Sequence, residues 1–219
     1  MTILCIETST SVCSAAICKD GEPLKQCICY EGGNHARLLP SYIDELLAYA
    51  REQGLKIDAV ALSEGPGSYT GLRIGTSTAK GLCYGLNVPL IPVPTLEVLK
   101  LASGVKQGIL IPMIDARRME IYTMIDGETK AVVVENEDSL YPGDEDVYYF
   151  GDGAEKCAKV FTKPNWHYIP DIVPESRYCA DYIETILDHF PGSNVDIAYY
   201  EPYYLKEFIA APSHVKGLK

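Results

Sequence analysis

The sequence has 219 residues, 47% of them hydrophobic, with 19 basic against 30 acidic side chains and a formal net charge of −11. That apolar fraction excludes a disordered chain, and the acidic balance argues against one that grips nucleic acid unaided, because such a grip needs Lys and Arg to displace counterions from phosphates. No apolar run approaches the ~18–20 residues that cross a bilayer. The N-terminal MTILCIETSTS places Glu7 where a signal core would continue, and the eight cysteines include no CxxC, so a reduced, cytoplasmic setting is expected.

Residues 2–7 read as a buried strand, 11–18 as a second and 22–30 as a third, with Asp20-Gly21 supplying a hairpin turn. From Arg37 to Ala50 the apolar residues Leu38, Leu39, Tyr42, Ile43, Leu46 and Leu47 recur at helical spacing. Pro40 fits that helix only if it lies within the first turn. A strand at 57–63, a helix at 69–84, a strand at 88–93 and a helix from Thr95 follow. Three antiparallel strands and then α-β-α-β describe a ribonuclease-H-like half of the actin/hexokinase/Hsp70 (ASKHA) superfold. After a boundary at SGVKQG the segments GILIPMID, MEIYTMID, AVVVEN and VYYFG read as strands, with helices at 153–161 and 179–190. The expectation is an α/β, actin-like chain of two ribonuclease-H-like domains, 1–105 and 106–219, each a mixed sheet flanked by helices, with a cleft between them.

The stretch GPGSYTGLRIG, Gly65 to Gly75, joins a strand to a helix and admits two readings. One is an anion site at a helix N-terminus, although neither G-x-x-x-x-G-K-[ST] nor G-x-G-x-x-G fits. The other is packing: Gly71, Gly75, Ala79 and Cys83 form a stripe of small residues along one helix face. A helical glycine costs about 0.8–1 kcal/mol relative to alanine, and close approach of another backbone repays it. That neighbour is either an element of the same chain or a helix across a subunit interface, beside the Leu38, Leu39, Tyr42 and Leu46 face.

Other candidate chemistry is sparse. Thr8, Ser9 and Thr10 occupy the place of the phosphate turn of actin-fold kinases, and are candidate nucleotide contacts. However, Ser9 stands where a glycine would let a phosphate approach, and the hydroxyls can equally satisfy a tight turn. Gly151-Asp152-Gly153 reads as a strand-to-helix turn. The four histidines, His35, His167, His189 and His214, are isolated and read as surface or capping residues, and Ser68 as a helix cap. YYEPYY, residues 199–204, is expected to pack the C-terminus back onto the fold.

The segments ILCIETSTSVCSAAI, NHARLLPSYIDELL, GPGSYTGLRIGTSTAKGL, VPLIPVPTLEVL and DARRMEIYT together resemble the TsaB (YeaZ) family, strongly over residues 1–122 and more weakly beyond, where PYYLK is similar to the family's ending. The resemblance implies a non-catalytic paralogue of TsaD in threonylcarbamoyladenosine biosynthesis on tRNA. It also implies pairing through first-domain helices with TsaD or with a second copy, and a TsaE-type ATPase as third subunit. ATP or ADP would enter only in the assembled complex. Catalytic relatives carry His-x-x-x-His where this chain has Thr95 and Leu99; leucine ligates no metal and a lone Thr hydroxyl is a weak ligand, so no metal site is expected. Asp115-Ala116-Arg117-Arg118 reads as a solvated hairpin tip or as a contact in the complex. The rival reading is an actin-fold ATPase or phosphotransferase with its own nucleotide site in the cleft.

Overall fold

The computed structural model describes residues 1–186 and 195–206. In the first half, β1 (Thr2–Glu7), β2 (Cys13–Lys19) and β3 (Glu22–Cys29) form an antiparallel meander. After helix α1 (His35–Glu52), β4 (Ala59–Gly65), α2 (Tyr69–Leu86), β5 (Leu90–Pro94) and α3 (Thr95–Ser103) complete a five-stranded sheet of order β3-β2-β1-β4-β5. The β1/β4 and β4/β5 pairs are parallel. The Asp20-Gly21 turn holds both residues at positive φ, 50° and 81°, as a two-residue hairpin of that sequence requires.

The second sheet repeats this topology. Strands β6 (Ile109–Asp115), β7 (Glu120–Ile125), β8 (Glu128–Val133), β9 (Val147–Phe150) and β10 (Trp166–Ile169) lie in the order β10-β9-β6-β7-β8. Again a meander is followed by two strands parallel to the first. The connections are reduced. A 3-10 turn at Glu137–Ser139 stands where α1 stands in the first half, and a four-residue helix, α4 (Ala154–Cys157), replaces α2. The helix expected over 153–161 stops early because the buried carboxylate of Glu137 captures the chain beyond it, accepting from the Thr162 and Lys163 N–H groups at 3.0 and 2.8 Å.

Two further expectations are corrected. Helix α1 starts at His35, so Pro40 lies beyond the first turn. The Ala36 carbonyl it leaves without a partner lies on the exposed face with Pro40, where water can serve it. The split at 105 also does not hold to the end of the chain. Helix α5 (Tyr178–Ile186) returns to the first sheet, where Cys179, Ala180 and Ile183 share a core with Ile3, Cys5, Ala61 and Val93. Val195, Ile197 and Tyr200 pack beside the core under α1 and α2, so the second unit is the sheet spanning 109–169. Residues 187–190 of the helix expected over 179–190, with His189 and His214, lie outside the described residues. Among the described residues no helix is long and apolar enough to cross a membrane.

The glycine stripe faces the chain itself. A Cβ at Gly67 would sit 2.3 Å from the Ser9 carbonyl oxygen, one at Gly71 2.0 Å from that of Thr8, and one at Gly75 2.3 Å from Thr8 Oγ1. Ala79 and Cys83 continue the stripe into the core with Leu4 and Leu62. This corrects the cross-subunit reading of Gly71, Gly75, Ala79 and Cys83, whose neighbour is the β1–β2 turn and the sheet below it. Leu39 and Leu46 are likewise fully buried, while Leu38 and Tyr42 are half-buried against the same core. Because the Gly71 contact is with backbone, which cannot swing aside, Gly71→Ala is expected to destabilise by about 1–3 kcal/mol. Gly81→Ala, on the open face of the same helix, should stabilise by up to about 1 kcal/mol. Thermal or urea unfolding of the two variants checks the contrast.

Candidate functional site

The turn after β1 and the start of α2 satisfy one another's polar groups. Ser68 is the N-cap of α2, its Oγ accepting from the Gly71 N–H at 3.3 Å. The Ser68 N–H donates to the Ser9 carbonyl at 2.6 Å, and the Thr8 hydroxyl donates to the Gly71 carbonyl at 2.9 Å. Thr8 and Ser9 are fully buried. This corrects their reading as nucleotide contacts, because α2 already occupies the side a phosphate would approach. Thr10 borders the cleft, but its Oγ1 accepts from the Val12 N–H at 3.3 Å.

Beneath the turn lies Glu7, fully buried. Its Oε1 accepts both the N–H and the O–H of Ser9, each at 2.5 Å, whereas Oε2 has no hydrogen-bond partner among the described residues. Burial pushes the carboxyl above the ordinary range, with the Ser63 and Ser9 hydroxyls pulling the other way. Ser63 Oγ lies 2.7 Å from Thr95 Oγ1, which accepts the Gly65 N–H at 3.0 Å. Thr95 therefore pins the glycine loop to the start of α3. One turn later Leu99 is fully buried with Leu96, Ile114 and Phe150. A hydroxyl committed to the loop and an apolar side chain in a dry cluster do not fit a metal. Among the described residues no three His, Cys, Asp or Glu side chains are grouped to hold one.

Between the two sheets lies a cleft of about 1280 Å³. Its first-domain wall runs along Ser9–Ser11 and Ser68–Thr70, where Ser11, Ser68 and Thr70 are exposed. Its second-domain wall is the β6–β7 hairpin with Asp152, and its rim is the strap Tyr203–Lys206. The hairpin charges are mostly matched: Lys156 pairs with Asp115, and Lys206 with Glu120. Asp152 Oδ1 accepts the Asp115 N–H at 2.9 Å, and burial raises its carboxyl. Arg117 and Arg118 hold the left-handed region, at φ 71° and 52°, with no ion-pair partner among the described residues.

The strap is anchored to the first domain. The Tyr203 N–H donates to the Glu64 carbonyl at 2.8 Å, the Tyr204 ring lies 5.1 Å from that of Tyr69, and Lys80 donates to the Ala198 and Tyr200 carbonyls at 3.0 and 3.1 Å. Gly65, at φ 118°, is needed here, since a Cβ would sit 2.6 Å from the Tyr203 carbonyl oxygen. YYEPYY thus packs back as expected. Gly151, Asp152 and Gly153 form a turn on β6: a Cβ at Gly151 would lie 2.2 Å from the Met113 carbonyl oxygen. His35 is buried with Nε2 3.1 Å from the Val12 carbonyl, and exposed His167 pairs with Asp146 at 2.8 Å. The Ser63–Thr95 link and the strap's place in the cleft were not foreseen. The only sequence signal for either was a Thr at a helix start and an aromatic cluster.

A carboxyl raised by burial favours folding in its protonated form. Its stability contribution is fully present below the unfolded value of about 4.3 and is lost as pH rises through the folded value. Glu7→Gln, which cannot ionise, is therefore expected to melt higher than the wild type at neutral pH, with the two curves converging in acid. Melting temperatures across the acid-to-neutral range check this, and a variant less stable than the wild type at neutral pH but equal to it in acid would show that the charge itself is needed.

The family model described as TsaD, tRNA N6-adenosine threonylcarbamoyltransferase, matches residues 32–141, half of the chain. A curated relative from Haemophilus influenzae, a tRNA threonylcarbamoyladenosine biosynthesis protein TsaB, is 37% identical over 103 residues, covering 47% of this chain and 43% of the relative. The Escherichia coli TsaB is 36% identical over 99 residues, 45% and 42% of the respective chains, so the matched stretch spans under half the length of these relatives. The structure of YeaZ from Pseudomonas aeruginosa superposes with a TM-score of 0.72 at 27% identity, covering 93% of this chain and 99% of that one. With both sheets matched in that superposition and the family model running from α1 into the second sheet, the chain belongs to the TsaB/YeaZ family, within the wider family of the TsaD model.

Proposed function

We propose that this chain is a non-catalytic partner in threonylcarbamoyladenosine biosynthesis. In this reading it binds and orders the TsaD-type enzyme that transfers the threonylcarbamoyl group to adenosine 37 of tRNAs reading codons that start with A. A TsaE-type ATPase completes the assembly, ATP or ADP enters only there, and the isolated chain pairs with a second copy through the same face. The names of the curated relatives support the pathway. Thr95 and Leu99, buried where the catalytic relatives carry histidines, support the absence of chemistry.

The observation that carries the partner role is a contrast within α2. Gly71 and Gly75 are required by contacts in the chain, whereas a Cβ at Gly81 or Gly85 would meet nothing within 4 Å. Each of these exposed glycines costs a helix about 0.8–1 kcal/mol with no return inside the protomer. Beside them Tyr84 is 84% exposed. The docking face is therefore the outer ridge of α2, through Ser77, Gly81 and Tyr84, with the shallow groove against Pro40 of α1, rather than the buried stripe.

The rival, an ATPase or phosphotransferase, draws on the cleft and predicts nucleotide turnover by the isolated chain. Light scattering on the chain alone and mixed with its TsaD-type homologue tests the partner reading. Self-association exchanging into a heterodimer is expected. Gly81→Leu should abolish both associations while melting no lower than the wild type; association that survives the substitution would move the interface elsewhere. Absence of any association, with ATP turnover, would favour the rival.

A further inference from the structure

We propose that Cys29 and Cys13 form a peroxide-sensitive dithiol at the edge of the first sheet, closing to a reversible disulfide when a hydroperoxide reaches Cys29. Of the eight free cysteines, seven are buried and Cys29 alone is partly exposed. The strand register sets it directly opposite Cys13 across the antiparallel β2/β3 pair. Opposed residues point to one face of a sheet, with Cα atoms about 4.5 or 5.5 Å apart according to the hydrogen bonding. Both spacings lie inside the ~4.4–6.8 Å that a disulfide spans. The Cβ atoms of such a pair, about 4.5–5.5 Å apart, must close to roughly 3.5–4.5 Å. Strand β3 can supply that movement because it is an edge strand, held in the sheet by β2 alone. Cys27 is the poorer partner: it is buried, and its register is against Ala15.

Exposure orders the two steps. The Cys29 sulfur attacks one peroxide oxygen, the O–O bond breaks, and the departing hydroxide takes the thiol proton as water, leaving a sulfenic acid. Cys13 is fully buried and its thiol is pushed up to about 11, mainly by burial, so it stays protonated and out of reach of the oxidant itself. Its sulfur then attacks the Cys29 sulfur, the S–O bond breaks, and the hydroxide leaves as water with the Cys13 proton. In sum two thiols are oxidised to one disulfide and the peroxide is reduced to two waters. In a reducing compartment such a bond is transient, broken again by thiol exchange. The pair lies away from the α2 ridge, since α1 packs over β2 and β3 whereas α2 packs over β4. The proposal is therefore independent of the partner reading.

The test is treatment of the folded full chain with hydrogen peroxide, followed by alkylation of the remaining thiols and peptide mapping. A linked Cys13–Cys29 peptide, lighter by two hydrogens and reopened by dithiothreitol, is expected. Cys29→Ser should slow the loss of free thiols at least about tenfold, because accessibility governs attack. Cys13→Ala should leave Cys29 as a sulfenic acid that dimedone captures, and Cys27→Ser should leave the link intact. The wild-type map decides the matter even if a core variant fails to fold. Cys29 left unreacted, taken directly to the sulfinic acid, or joined to Cys27 or to a second chain overturns the proposal.

Discussion

The Thr8–Ser9 turn and the first turns of α2 meet backbone to backbone, with Gly67, Gly71 and Gly75 clearing the space and the Ser68 N–H closing onto the Ser9 carbonyl. Fixing α2 against the end of β1 also fixes the loop from Gly65 to Ser68, and with it the surface on which the strap lies. The same contact takes up the Ser68 N–H on the Ser9 carbonyl, while the Ser68 hydroxyl caps the Gly71 N–H. One interaction therefore sets the geometry of the turn, the helix and the loop between them.

Duplication of the sheet without duplication of its helices shapes the rest. Both sheets follow one strand order, but the second has a 3-10 turn and a four-residue helix where the first has two 18-residue helices. Its strands β6 and β7 instead end in a charged hairpin directed at the first domain. The cleft is asymmetric as a result, with a hydroxyl-rich wall on one side and ion pairs with two extra arginines on the other.

Much of this was legible in the sequence. β1 and α2 were placed to within two residues because their apolar periodicities are unbroken and Ser68 marks the helix start. β8 begins three residues before the apolar segment AVVVEN, at the hairpin signal Asp126-Gly127, which is of the same kind as Asp20-Gly21. β10 leaves little trace in the sequence: WHYI is short and lies between loop segments, and its pairing with β9 is a tertiary fact. Where the glycine stripe faced was not decidable, because a small-residue stripe reports that something is close and not what it is. The strap's role was hidden for a similar reason, since residues 199–206 meet Glu64, Tyr69 and Glu120 only after the whole chain has folded back.

The return of α5 has a consequence for synthesis. One face of the first sheet, with Ile3, Cys5, Ala16, Ala61 and Val93, is completed by Cys179, Ala180 and Ile183. At about 5–20 residues per second, all of β1–β5 leaves the ribosome seconds before the helix that shields this face exists. During that interval the nascent chain presents a wet, thiol-bearing apolar sheet. Apolar surface left uncovered in that interval is open to aggregation, although the finished fold buries Cys5, Cys18 and Cys179 completely.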